Sequence, residues 1–230
     1  MSLDILDQSA VGGWEPGLQK AKVYEQILLD VLLGALPPGG RIDEESLTRR
    51  YDAGLAGVRD ALGRLALEGL VVRKPRAGTT VAPLDLMDVR QDYEVRRLLE
   101  PHAAVLAAQN ASPADIRALR AAFEDAEAAV ERRDVRALVV MDRKFHTALS
   151  IATRNLSLAK MIVPLQHKAT RFWVYSMRED TPDELLSEVE RHRQIAEHIA
   201  RHDEAAARAA MEAVVGGFLM SRLVAGRSPR

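Results

Sequence analysis

Residues 55–82 read LAGVRDALGRLALEGLVVRKPRAGTTVA, and a change of period inside this stretch decides the fold of the first part of the chain. Val58, Leu62, Leu65 and Ala66 recur at three- and four-residue spacing, which places them on one face of a helix running from Leu55 to Glu68. Gly69 caps that helix, because glycine readily takes the left-handed backbone of a helix C-terminus. The runs Leu70-Val71-Val72-Arg73 and Thr79-Thr80-Val81-Ala82 then flank Lys74-Pro75-Arg76-Ala77-Gly78. Two β-branched runs around a turn of this kind predict a hairpin. Upstream, Val23, Ile27 and Val31 mark a helix over 18–33, which Pro37-Pro38-Gly39-Gly40 stops. A short helix from about Glu44 to Tyr51 lies between, closed by Asp52-Ala53-Gly54. Three helices followed by a basic hairpin make a winged helix-turn-helix.

Past Pro83-Leu84-Asp85 the pattern is helical throughout, so the fold class is mainly α. Ser112-Pro113-Ala114-Asp115 and Thr181-Pro182-Asp183-Glu184 each supply an N-cap, a first-position proline and an acid in the first turn. Asn155 caps a further start. About six helices follow, near 86–109, 113–132, 135–153, 156–178, 183–201 and 203–224. The chain is thus expected to divide into an N-terminal arm (1–17), the winged helix-turn-helix (18–82), a linker (83–85), a helical bundle (86–224) and a tail (225–230).

The composition narrows the class. Of 230 residues, 47% are hydrophobic but only 4% aromatic, so alanine, leucine and valine must build the core. A charged fraction of 28% is too mixed with apolar residues for a disordered chain. No apolar run approaches the ~18 residues a membrane span needs, and the first residues lack the basic-then-apolar pattern of a signal peptide. With no cysteine, disulfides and thiolate metal sites are excluded. These features predict a soluble cytoplasmic protein.

The net charge of −1 conceals a local excess. From Arg49 to Arg76 seven cations (Arg49, Arg50, Arg59, Arg64, Arg73, Lys74, Arg76) stand against three acids (Asp52, Asp60, Glu68). In a helix-turn-helix the second helix of the pair enters the major groove. The candidate DNA contacts are therefore Arg49, Arg59 one turn into that helix, Arg64 on its flank, and Lys74, Arg76 and Gly78 in the wing. Taken one at a time, the same arginines read equally as solvated faces paired to Asp60 or Glu68.

All six histidines lie beyond residue 100. Asp142 and His146, spaced i, i+4, share a helix face with Val139 and Leu149. His192 falls on an apolar stripe with Leu185, Val189, Ile195 and Ile199. Burying these groups without partners is costly. A divalent metal (zinc, nickel, iron or manganese) would satisfy all three. So would an Asp142–His146 hydrogen bond with His192 on a backbone carbonyl or water. Two histidines and a carboxylate also suit a non-haem iron enzyme, although no second acid–base pair accompanies them, and the chain is read as a non-enzyme.

The stretch from Val23 to Val81 resembles the GntR family of bacterial transcription regulators, notably in Pro38-Gly39, Val58-Arg59-Asp60-Ala61-Leu62, Leu65, Glu68-Gly69-Leu70-Val71 and Arg76-Ala77-Gly78. The rest is similar to the effector-binding FCD domain of the FadR subfamily, through Tyr93-Glu94-Val95-Arg96, Glu100, Asp142-Arg143-Lys144-Phe145-His146, Asn155 and His192. The resemblance implies a homodimeric repressor on a palindromic operator, cytoplasmic and nucleoid-associated when bound to DNA, and released by a small organic acid. It also implies a metal held by one Asp and three His, of which Asp142, His146 and His192 are present; the fourth position is Val214. Arg96 would meet the ligand's carboxylate, or pair on the surface with Glu100. Gln166 and Trp173, seven residues apart, would line the same cavity or belong to the core. One departure stands out. Where the family has Ser-Arg-Thr-Pro before the Val-Arg-Asp-Ala-Leu segment, this chain has Gly54-Leu55-Ala56-Gly57. That loss opens an alternative: an effector sensor or partner-binding module whose DNA reading has decayed.

Overall fold

The computed structural model describes residues 19–76, 78–177 and 180–224, with side chains to Gly217 in the last helix. The expected arm (1–17) and tail (225–230) lie outside the described residues. The chain separates into two compact units, meeting in sequence at Asp85 and Leu86.

In the first unit, helix α1 (Gln19–Leu32) packs on α3 (Leu55–Leu67), with α2 (Glu44–Tyr51) between them in sequence. Val23, Ile27, Leu28, Val31 and Leu32 of α1 meet Val58, Ala61, Leu62 and Leu65 of α3 in a core shielded from solvent. Each of the valine, leucine and isoleucine side chains contributes about 1.5–3 kcal/mol relative to leaving it in water. Asp43 caps α2 by accepting from the Glu45 amide at 3.1 Å, and Asp52 closes it in the left-handed region at φ 47°. Gly54 occupies the cap position of α3 at φ −69°, which any residue can adopt. A Cβ at Gly54 or Gly57 would meet nothing within 4 Å. The glycines thus remove side chains here without being required by the backbone.

The wing is an antiparallel pair, β2 (Val71–Lys74) and β3 (Gly78–Val81), in the register Val71↔Val81 to Lys74↔Gly78. Arg76 at φ 63° and Gly78 at φ 93° make the reversal. Sequence reading anticipated this hairpin but not β1 (Arg41–Ile42), which pairs with β3 and completes a three-stranded sheet in the order β1-β3-β2. Two residues are too few to display a period.

The second unit is helical: α4 (Leu86–Asn110), α5 (Pro113–Ala121), α6 (Ala126–Glu131), α7 (Val135–Ala152), α8 (Leu156–Ser176), α9 (Pro182–Ala200) and α10 (Glu204–Val224). Ser112 and Thr181 form capping boxes with Asp115 and Glu184, and Asn155 accepts from the Leu158 amide at 3.0 Å. One expected helix, 113–132, is in fact two. At Ala122, Glu124 and Ala126 the backbone bonds to the residue three back rather than four. The tighter winding turns Ala122, Phe123 and Ala126 all inward, and Phe123 becomes part of the cavity wall described below. Alanines 103, 104, 107 and 108 of α4 are fully buried, and their small side chains let α10 run close alongside. Among the described residues no helix is long and apolar enough to cross a membrane.

Candidate functional site

In the first unit Arg49 (α2), Arg59 (α3) and the wing residues Lys74, Arg76 and Gly78 are exposed. Arg59 is not solvated alone: its Nε donates to Glu44 Oε2 at 2.7 Å, and Arg73 Nη2 stands 3.8 Å from the other Glu44 oxygen. Arg64 departs from the expected flank position. Its side chain is only 17% exposed, bonded to Glu68 Oε1 at 3.0 Å, with its guanidinium 4.1 Å from the Tyr24 ring centroid. Tyr24 Oη in turn donates to Glu68 at 2.8 Å. Burial, reinforced by Glu68, holds the Tyr24 hydroxyl well above its ordinary range, so it stays a donor. Arg64 therefore ties α3 to α1.

In the second unit, α4, α7, α8 and α9 bring the other candidates to one cavity of about 70 Å³. Asp142 and His146 from α7 and His192 from α9 present ligand atoms that all lie within 4.8 Å of one another. Asp142 Oδ1 is 3.5 Å from His146 Nε2 and 3.9 Å from His192 Nε2, longer than ordinary hydrogen bonds. His192 Nδ1 lies 2.7 Å from the Glu188 carbonyl, which can only accept. That fixes the ring's proton on Nδ1 and leaves the Nε2 lone pair facing the carboxylate. Two electron-rich atoms then face one another, an arrangement that suits a cation between them. Phe145 supports both rings edge-on, at 5.4 Å from His146 and 5.1 Å from His192.

Further contacts were not legible in sequence. Gln166 Nε2 is 3.0 Å from His146 Nδ1, and the Thr170 hydroxyl donates to Asp142 Oδ2 at 3.1 Å. These two sit one turn apart on α8, a spacing that signals a shared face but not which residues it meets. Arg96, Gln166, Trp173 and Val214 all line the same cavity. Arg96 does pair with Glu100, through two contacts of 2.5 and 3.3 Å, but the pair is buried, whereas the alternative offered by the sequence placed it on the surface.

Burial opposes ionisation of Asp142, yet the attraction of His146 and His192 and the Thr170 hydrogen bond hold its carboxyl at about 2. Burial, with the neighbouring charge of His146, pushes His192 down from 6.5 to about 4. Between those two values the unfolded chain binds a proton that the folded chain refuses. Stability therefore rises with pH across that window and is lost as pH falls through it. Metal-free protein is expected to lose up to about 3 kcal/mol between pH 6.5 and 4, at 1.36 kcal/mol per pKa unit. Urea titrations at stepped pH check this, and His192→Gln should flatten the slope.

Comparison with known proteins gives these units a context. A model of the FCD domain matches residues 91–217, and the model of bacterial regulatory proteins of the gntR family matches residues 19–81. An HTH-type transcriptional regulator from the TAR-I ttuE-ttuC' intergenic region of Agrobacterium vitis is 31% identical over 55% of this chain and 75% of its own. LutR of Bacillus subtilis, also an HTH-type transcriptional regulator, is 29% identical over 77% of this chain and 89% of its own. The solved structure of Escherichia coli McbR/YncC superposes with a TM-score of 0.79 at 22% identity, covering 91% of this chain and 99% of that one.

Proposed function

The chain belongs to the gntR family of bacterial regulatory proteins, as a transcription regulator with a C-terminal FCD domain, and from that premise we propose that it is a homodimeric repressor released from a palindromic operator by a small carboxylate. The observation that carries this reading is the cavity wall, where three metal-donor side chains and a guanidinium face one volume. Asp142, His146 and His192 would hold a divalent metal of the zinc, nickel, iron or manganese class. When bound, the metal supplies a Lewis-acid contact for a ligand carboxylate. Val214 offers no donor, which leaves coordination open to water or to the ligand. Arg96 adds a fixed positive charge, with Gln166 and Trp173 shaping the remainder. Ligand binding changes operator affinity only insofar as the ligand favours one arrangement of the heads over another.

In the first unit, Arg59 on α3 reads bases, while Arg49, Lys74, Arg76 and the Gly78 backbone follow phosphates. Two related half-sites are expected, because a twofold dimer needs a twofold operator. The open space beside Gly54 and Gly57 favours a second reading, a sensor that keeps the cavity and has lost its sequence reading.

Selection from a random duplex library, followed by fluorescence anisotropy at two salt concentrations, tests the proposal. A recovered palindrome should bind on the order of 10³-fold or more tighter than random duplex. Arg59→Ala should cost roughly 1–3 kcal/mol on that operator, and Lys74→Ala should lower the salt slope by about one. Binding that is salt-sensitive and blind to sequence would overturn the repressor reading in favour of the sensor.

A further inference from the structure

Three elements of the first unit converge on one carboxylate. Glu44 opens α2, where Asp43 caps the helix and the positive end of its dipole favours an acid. Arg59 reaches it from α3 through Nε at 2.7 Å, and Arg73 reaches it from β2 at 3.8 Å. Arg73 crosses α3 beside Gly63, where a Cβ would stand 3.6 Å from its guanidinium. All three side chains keep solvent access: 21% for Glu44, 58% for Arg59 and 42% for Arg73. Pairs this exposed add little to folding stability. Their consequence is geometric.

We infer that Glu44 is a positioning residue for base reading: by holding Arg59 through Nε it aims the two terminal guanidinium nitrogens as a fork, and by holding Arg73 it restrains a second cation from indiscriminate phosphate binding. This inference rests on the DNA-reading function proposed above. A fork of this kind matches the O6 and N7 acceptors of guanine in the major groove. The need is acute in this chain, because Gly54 and Gly57 bring no side chains to the start of α3. A carboxylate on a face that meets DNA also repels phosphates, so it lowers affinity for random sequence. Discrimination rises on both counts.

The test compares full-length wild type, Glu44→Gln, Glu44→Ala and Glu45→Ala on the selected operator and on a scrambled duplex of equal length, by anisotropy over a salt series. Glu45 is the exposed neighbour, and its removal takes away the same charge one residue along. Glu44→Ala should cut the ratio of operator to scrambled affinity about tenfold or more, and guanine preference should vanish at one position when selection is repeated with it. Glu44→Gln keeps an acceptor for Arg59 Nε and should retain most of that preference, while its salt slope on scrambled duplex steepens by about one. Thermal unfolding midpoints matching wild type show that the heads are folded. Glu44→Ala with the wild-type ratio overturns the inference while leaving the repressor reading intact. Glu45→Ala matching Glu44→Ala also overturns it, because charge alone would then suffice. A wild type without operator preference removes both.

Discussion

Arg96→Ala is expected to destabilise the helical unit by roughly 3–5 kcal/mol and to abolish binding of small carboxylates. Glu100 is fully shielded from solvent and Arg96 is 5% exposed, so truncating the arginine leaves a buried charge without its counter-ion. Burial by itself would weaken the arginine's hold on its proton, but the charge of Glu100 outweighs it, and the guanidinium stays charged at any accessible pH. Its guanidinium carbon also lies over the Tyr93 ring, 4.6 Å from the centroid. Lysine cannot reproduce either the two-pronged contact or the stacking, so Arg96→Lys should recover little. The paired change Arg96→Met with Glu100→Leu separates the two roles. It removes both charges together, so stability should return to within about 1–2 kcal/mol of wild type, while carboxylate binding should not return. Urea denaturation and calorimetric titration with a panel of mono- and dicarboxylates read the two effects. A single alanine variant as stable as wild type would show that Glu100 finds another partner, and carboxylate binding by the double variant would remove Arg96 from the ligand site.

The contrast between Arg96 and Arg64 shows how far sequence carries. Helical spacing correctly paired Arg96 with Glu100, yet spacing along one helix says nothing about depth, and the helices packed over α4 bury the pair. For Arg64 the alternative pairing with Glu68 is present, again at a depth that spacing along one helix does not give. Its own helix offered a flank, but Tyr24 on α1 covers that flank and captures the guanidinium. Local patterns were legible wherever a period or a cap repeats over several residues: the three head helices, the wing, and the starts at Ser112, Asn155 and Thr181. The two-residue β1 and the break between α5 and α6 carry no such period. At the cavity, spacing joined Asp142 to His146, and the inward stripe of α9 suggested His192. The contacts of Gln166 with His146 and of Thr170 with Asp142 depend on how α8 lies against α7, a register no single-helix pattern encodes. Glu44 was invisible for a related reason. An acid in a first helical turn is so ordinary that only the crossing of Arg59 and Arg73 distinguishes it.

Divalent metal is expected to raise the stability of the chelator-stripped protein by about 2.7 kcal/mol when present at a hundredfold its Kd, and both Asp142→Ala and His192→Ala should erase that gain. The geometry assigns unequal preparation to the donors. His192 already offers its Nε2 lone pair, because the Glu188 carbonyl holds the proton on Nδ1. His146 is poised differently. With the Gln166 amide nitrogen 3.0 Å from Nδ1, its proton is directed to Nε2, and ligation requires the amide to turn so that its oxygen accepts from Nδ1 instead. A side-chain amide can serve either state, which alanine cannot, so Gln166→Ala should weaken metal binding by about 10- to 100-fold without removing a ligand. Val214, buried in the same wall, supplies the converse experiment. Val214→His adds a donor and should tighten metal binding, but under the proposed reading it would fill the coordination position left for a carboxylate and should weaken carboxylate binding in the same protein. Thermal shifts across zinc, nickel, manganese and iron(II), with metal counted after dialysis, decide among these outcomes. Shifts that survive in the Asp142→Ala, His192→Ala double variant would place the metal elsewhere. Shifts absent from wild type would leave the cluster as a buried hydrogen-bonded group, and the anionic ligand would then depend on Arg96 alone.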